Sequence, residues 1–186
     1  TALGVVVMIQ CVASREPGRN YCSRVCCTSA LKNALAIREK NPAADIYILY
    51  RDIMSYGFLE SYYTKARKEG IIFSQYALDE KPQVEVENGR VSVRTKDAIL
   101  NREIMIPSDL LVLSTGLVPS ENQRLGEIFG VEINEDGFFQ EAETKWRPVD
   151  FLKEGVFLCG TAHSPRSISE TIATAEAAAQ RALRFL

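Results

Sequence analysis

Val5-Val6-Val7-Met8-Ile9, followed by Cys11, Cys22, Cys26 and Cys27 and then an amphipathic stretch from about Ser29, decides the fold of this chain. An apolar run, a loop and a helix make the unit in which a dinucleotide-binding fold carries its glycine-rich phosphate loop. No G-x-G-x-x-G is present here, and thiols fill its position. The pattern predicts a strand over 4–12 and a helix over about 26–40. Asn41-Pro42 ends that helix, because a residue before proline disfavours the αR conformation. Asp45-Ile46-Tyr47-Ile48-Leu49-Tyr50 supplies the next strand, giving a β-α-β unit with parallel pairing.

Working outward, a second helix is expected from Leu59 to Lys68, closed by Gly70, and a strand over 71–76. Residues 83–87 and 90–95 read as a hairpin turning at Asn88-Gly89, with 102–106 continuing the antiparallel excursion. Leu110-Leu111-Val112-Leu113 reads as a buried strand ending in Ser114-Thr115-Gly116. Residues 117–150 look irregular, with a short helix near 121–129 and a turn at Asp136-Gly137. A strand over 155–160, a loop and a small-residue helix from about Ser167 to Leu183 complete the chain. The fold class is α/β: a Rossmann-like parallel sheet with a small antiparallel excursion.

The chain has 186 residues, 46% of them hydrophobic, enough to bury a core as one domain or two small ones. A net charge of −2, with both signs interspersed, gives no sign of a polyanion, so no nucleic-acid partner is expected. The apolar runs suit strands and are too short for a membrane span. No basic segment or cleavage site marks a signal peptide, so a cytoplasmic location is expected. The absence of an initiator Met points to an excerpt of a longer protein. Five cysteines make an odd count, against a complete disulfide framework; Cys159 stands apart from the other four. In a cytosolic chain such clustering favours metal.

The four form the pattern C-x10-C-x3-C-C, which is neither the bacterial ferredoxin run nor a zinc ribbon. Vicinal Cys26 and Cys27 reach two corners of an iron–sulfur cubane more comfortably than they share one zinc. That favours a cluster, with Arg15, Arg19 and Arg24 placed to offset its negative charge or serving as plain loop residues. A structural zinc module that docks onto partners and a dithiol redox protein are the alternatives. The second constellation is Ser114-Thr115-Gly116 with Cys159-Gly160-Thr161-Ala162-His163, which leads through Arg166 into a helix capped by Ser167 or Ser169. Such a helix N-terminus suits a phosphate or a flavin oxygen. The alanines of that helix allow close packing against a sheet or a cofactor. His163, the one histidine, reads as a loop residue with a local hydrogen bond, and Arg51-Asp52 as strand-end surface residues. Phe58, Tyr62 and Tyr63 are expected to pack against the sheet. With one histidine and no G-x-S-x-G, no residue reads as a hydrolytic nucleophile paired with a base.

Several motifs resemble those of the heterodisulfide reductase A-type family, the iron–sulfur flavoprotein of that enzyme and its relatives. They are Met8-Ile9-Gln10-Cys11-Val12-Ala13-Ser14-Arg15, Asn20-Tyr21-Cys22-Ser23-Arg24-Val25-Cys26-Cys27, Leu49-Tyr50-Arg51-Asp52 and Ser114-Thr115-Gly116-Leu117-Val118-Pro119. Asn134-Glu135-Asp136-Gly137-Phe138-Phe139, Arg147-Pro148-Val149-Asp150 and Phe157 to Ser167 belong to the same set. The resemblance implies a two-lobed pyridine nucleotide-disulfide oxidoreductase-like architecture, with residues 1–117 matching the NAD(P)-binding lobe and 118–186 the C-terminal part of the FAD lobe. It implies a [4Fe–4S] cluster on Cys11, Cys22, Cys26 and Cys27, and FAD lined by Ser114, Thr115, Gly116, Gly160, Thr161, Arg166, Ser167 and Ile168. The implied activity is oxidoreductase electron transfer between cluster and flavin. In methanogens that means flavin-based bifurcation; in sulfate reducers it means complexes that exchange electrons with quinones. Other subunits of such a complex are the implied partners. Two departures stand out: Thr161 replaces the acidic residue many flavoproteins carry after the glycine, and the N-terminal FAD unit with its glycine loop is absent. This stretch alone is therefore expected to hold FAD weakly or not at all, and to be inactive alone.

Overall fold

Valine-rich β1 (Val5–Ile9) is buried on both faces, because each face is covered by a different layer. In the computed structural model, which describes residues 3–185, it lies third in a four-stranded parallel sheet ordered β3-β2-β1-β7. Val5 to Ile9 pair in register with Asp45 to Leu49 of β2 (Asp45–Tyr50), and Val6 to Ile9 with Leu110 to Leu113 of β7 (Leu110–Leu113). Tyr47 to Tyr50 pair with Ile72 to Gln75 of β3 (Ile72–Gln75). The Asp109 carboxylate aligns the first and last of these segments, accepting from Gly4 N at 2.7 Å and Val5 N at 2.8 Å. Those two backbone donors hold its pKa below the usual carboxylate value.

Helix α1 (Cys26–Lys40) buries Cys27, Ala30, Leu31 and Ala34, one stripe at helical spacing. That stripe packs with Val6, Met8, Ile46 and Ile48. Arg38 and Lys40 occupy its last turn, where the helix dipole favours cations, and Arg38 Nη1 donates to Pro42 O at 2.6 Å. Helix α2 (Glu60–Lys68) adds Ala66 to the same layer. On the opposite face, Val7, Ile9 and Leu49 meet Tyr76, Val93 and Ile106. The last two belong to an antiparallel sheet of β4 (Gln83–Glu87), β5 (Arg90–Asp97) and β6 (Arg102–Ser108). Asn88 and Gly89 both have positive φ, 52° and 76°, as a two-residue hairpin matching strand twist requires.

The chain forms two compact units. The first comprises the residues up to Glu16 together with Val25–Gly116, which hold both sheets. The second comprises Pro17–Arg24 and the chain from Leu117 onward. It is built on α3 (Gln123–Phe129), α4 (Ile168–Ala182) and loops closed by single bridges such as Ile133 to Phe139 and Asp150 to Phe157. Arg181 clamps the Asp150 carboxylate from Nε at 3.0 Å and Nη2 at 2.8 Å, anchoring α4 to those loops. Pro17–Arg24 is stitched into this unit. Tyr21 donates to Leu117 O at 3.0 Å and stands edge-on to Phe138 at 5.3 Å, and Ser23 Oγ accepts from Leu117 N at 2.8 Å.

Four expectations need correction. Residues 155–160 form no strand: their one ladder contact is the bridge at Phe157, and Gly160 opens a 3-10 turn. Strand β7 is regular but not buried, with Leu110 and Leu113 36% and 49% exposed, because it is the sheet's edge. Phe58 and Tyr62 are exposed, and only Tyr63 packs inward, edge-on to Phe73 at 4.9 Å. Of the α4 alanines only Ala178 is buried. No helix among the described residues is long and apolar enough to cross a membrane.

Candidate functional site

The loop between β1 and α1 is held in a conformation most side chains avoid. Cys11, Ala13, Arg15 and Arg24 all have φ between 58° and 62° or, for Ala13, 48°. Each such residue costs roughly 1–2 kcal/mol, so surrounding contacts must impose it. Around Cys11 to Arg15 those contacts come from the two residues that follow β2. Arg15 Nη2 binds Asp52 Oδ2 at 2.6 Å, and Arg51 Nη1 donates to Ser14 O at 3.1 Å. Asp52 holds the Arg15 guanidinium above its ordinary pKa, with the Cys11 sulfur contributing further. Arg51 and Asp52 thus brace the cysteine loop, which their reading as ordinary surface residues missed. Their position just after β2, where dinucleotide enzymes read a ribose, was the available signal.

The thiols have distinct surroundings, and none of the five cysteines forms a disulfide. Cys11 Sγ lies 4.0 Å from Arg15 Nη1, and Cys22 Sγ accepts from Arg24 N at 3.3 Å. Buried Cys27 donates to Asp52 O at 3.6 Å. Cys26 is half-buried at the start of α1, where Val25 provides no side-chain cap. Cys11, Cys26 and Cys27 belong to the first unit and Cys22 to the second. Among the described residues no three His, Cys, Asp or Glu side chains already converge as a metal-ligating group. The donor chemistry nevertheless suits a thiolate-bound cluster: soft sulfur, N–H groups directed at two of the sulfurs, and a neighbouring arginine.

The flavin-side candidates also divide. Ser114, Thr115 and Gly116 follow β7 in the first unit, where Ser114 N donates to Ile9 O at 2.9 Å and Ser114 O accepts from Val12 N at 3.1 Å. Gly160, Thr161, Arg166, Ser167 and Ile168 lie together in the second. Ser167 is the cap: its hydroxyl accepts from Glu170 N, and Glu170 returns a carboxylate to Ser167 N at 2.8 Å. The same carboxylate pairs with Arg24. The donors at the α4 N-terminus are thus partly answered from within the protein, a feature Glu170 alone would have signalled as the fourth residue of a capping box. Thr161 and Ile168 are exposed, and Thr115 likewise.

Arg166 instead donates to His163 Nδ1, so the proton of the neutral ring sits on Nε2, which donates to Glu141 Oε2 at 2.9 Å. His163 therefore has the expected local bond plus a distant carboxylate that sequence reasoning did not identify. Burial pushes the Glu141 carboxyl up, but hydrogen bonds from Thr144, its own backbone and His163 bring it below its ordinary value.

Glu170 carries a pH prediction. The Ser167 backbone N–H, helped by the Ser167 hydroxyl and Arg24, lowers its folded pKa below 4.5 against the opposing effect of burial. Stability from this group is complete above that value and is lost as pH falls through the lower folded pKa. Glu170→Gln, which can keep the capping box, is expected to flatten the decline in urea midpoint between pH 5 and pH 3. An equally steep decline in parent and variant would refute the assignment.

No family model matches the chain. Over 185 residues it is 40% identical to the A component of the ferredoxin:CoB-CoM heterodisulfide reductase of Methanosarcina acetivorans, covering 97% of the chain and 23% of that protein. Over 182 residues it is 40% identical to the iron–sulfur A component of the CoB–CoM heterodisulfide reductase of Methanocaldococcus jannaschii, covering 94% of the chain and 27% of the relative. A heterodisulfide reductase A-like protein of Archaeoglobus profundus is 37% identical over 184 residues, with 97% of the chain and 26% of the relative covered. The chain thus spans about a quarter of the length of the curated relatives it matches. Among solved structures, T. acidophilum thioredoxin reductase superposes with a TM-score of 0.64 at 20% identity, over 97% of this chain and 52% of that one. The flavoprotein disulfide reductase RclA of Escherichia coli, as its Cu(II) complex, gives 0.60 at 12% identity, over 100% and 36%. At such identities these neighbours speak for the fold alone, an α/β architecture of the thioredoxin reductase type. By sequence, the chain is a homologue of the A component of heterodisulfide reductase over a segment about a quarter of that component's length.

Proposed function

We propose that this chain is an electron-transfer segment of an oxidoreductase of the heterodisulfide reductase A type, with Cys11, Cys22, Cys26 and Cys27 binding a [4Fe–4S] cluster that exchanges electrons with FAD. The observation that carries the reading is the cysteine quartet at the β1–α1 turn, where a dinucleotide fold has its glycine loop, in a chain about 40% identical to a protein named as an iron–sulfur component. Cys22 lies four residues before Cys26, so the chain tethers their Cα atoms within about 14 Å. The cluster and flavin supply one-electron and two-electron chemistry when bound.

The protein's own residues tune and position. N–H donors on cysteine sulfurs, such as Arg24 N on Cys22 and Arg15 on Cys11, stabilise thiolate and added electrons. Asp52 keeps Arg15 in place. The residues proposed to line a flavin are Ser114, Thr115 and Gly116 of the first unit and Gly160, Thr161, Arg166, Ser167 and Ile168 of the second, of which Thr115, Thr161 and Ile168 are exposed. The remaining subunits of such a complex are the proposed partners, including a quinone-interacting one in organisms that use it.

Iron and acid-labile sulfide per chain after anaerobic reconstitution test this directly. About four of each are expected, falling by at least half in Cys26→Ser because a cubane needs its corner ligands. Background iron in the parent would reject the reading; one zinc per chain would favour a structural metal module, and neither metal would leave thiol chemistry.

A further inference from the structure

Gln10 is 1% exposed, and neither its Nε2 nor its Oε1 meets a hydrogen-bond partner. A buried, unanswered amide costs about 1–3 kcal/mol for each unmet group, so native proteins keep few without a reason. The backbone of Gln10 continues the β1 ladder, its N–H donating to Leu49 O at 2.9 Å. Strand alternation therefore runs on through it. Val6 and Met8 pack with Ala30, Leu31 and Ala34 of α1, while Val7 and Ile9 serve the opposite layer. Gln10 shares the α1 face. In a β-α-β unit the helix begins at the carboxyl end of the strand it follows, so Gln10, just past the end of β1, lies toward the end of the sheet where Cys11 opens the loop and where α1 starts with Cys26 and Cys27.

We propose that the Gln10 side-chain amide is a hydrogen-bond donor to the sulfur of the group held by Cys11, Cys26 and Cys27, an inference that rests on the cluster reading above. Thiolate and sulfide sulfur accept hydrogen bonds and donate none, so the amide Nε2 finds in that group the partner it otherwise lacks. A donor of this kind stabilises the more negative reduced cluster and raises its potential. Glutamate, which only accepts when ionised, cannot replace it.

The test uses Gln10→Met, close in volume and apolar, with Gln10→Leu as a second replacement and Gln10→Glu as the contrast. Without iron, Gln10→Met is expected to melt at or above the parent temperature, because an unmet polar group has been removed. After reconstitution it should carry the parent's iron, yet its ratio of reduced to oxidised cluster at fixed potential should fall about tenfold, about 59 mV for one electron. The rise in melting temperature on cluster loading should also shrink. Gln10→Glu should load less iron than either. A reconstituted Gln10→Met or Gln10→Leu protein with parental iron, potential and loading effect would overturn the inference and leave the cluster reading intact. A parent chain that takes up no iron overturns both, and iron content alone reveals that case.

Discussion

Leu31→Ala is expected to destabilise the first unit by about 3 kcal/mol, within the roughly 2–5 kcal/mol range for emptying a fully buried leucine. Leu31 has no exposed surface and sits in α1 against Val6, Met8, Ile46 and Ile48. These neighbours are strand side chains fixed by pairing on both sides of β1, so they cannot collapse into the space left behind. Part of the loss is transfer free energy and part is the residual cavity. The midpoint of thermal unfolding should drop by roughly 10 °C or more. Leu31→Met, which conserves volume, should lose less than about 1.5 kcal/mol. Equal stability of Leu31→Ala and Leu31→Met in urea unfolding would contradict this account. The prediction bears on function because α1 carries Cys26 and Cys27 in its first turn, four or five residues ahead of the packing anchor.

Gly160→Ala should cost the second unit about 2–4 kcal/mol, from two separable causes. Gly160 has φ +61°, a conformation that costs an L residue roughly 1–2 kcal/mol. A Cβ there would also stand 2.9 Å from Thr171 Cγ2, inside any normal contact. Relief by moving away is opposed because Gly160 N donates to Thr174 Oγ1 at 3.0 Å, fastening the same residue to α4. Thr171→Ser removes the offending methyl but leaves φ unchanged. The double variant Gly160→Ala/Thr171→Ser should therefore recover the steric share, about 1 kcal/mol or more, and keep the backbone share. Strictly additive single and double variants would show that the close approach to α4 carries no energy. Because Thr161 follows directly, the same substitution should displace the proposed flavin-facing surface.

What the two predictions share is dependence on a short element meeting a distant one, and this divides what was legible from what was not. Helix α1 and strand β2 occupy the residues their patterns indicate, since the apolar stripe and the stop at Asn41-Pro42 are local properties. The Asn88-Gly89 turn is equally local, because positive φ at both positions is available to few other pairs. Residues 155–160 misled: their apolar content resembles that of a strand, but a strand needs a partner edge, and Phe157 finds only Asp150. Leu110 to Leu113 do find a partner in β1, on one side only, which leaves them half-exposed despite four consecutive apolar residues.

By itself the sequence determined the order of helices and strands as far as α3, the parallel β-α-β beginning and the replacement of a glycine loop by four cysteines, because each depends on residues close together in the chain. Only the tertiary structure decided that Arg51 and Asp52 brace the cysteine loop, that Glu170 links the α4 cap to Arg24, and that Pro17–Arg24 joins the second unit. It alone left the Gln10 amide buried and unanswered. Composition and periodicity report how a residue relates to its neighbours in sequence. Ion pairs across 37 or 146 residues, and the polarity of a buried position, arise only when the folded chain brings distant groups together.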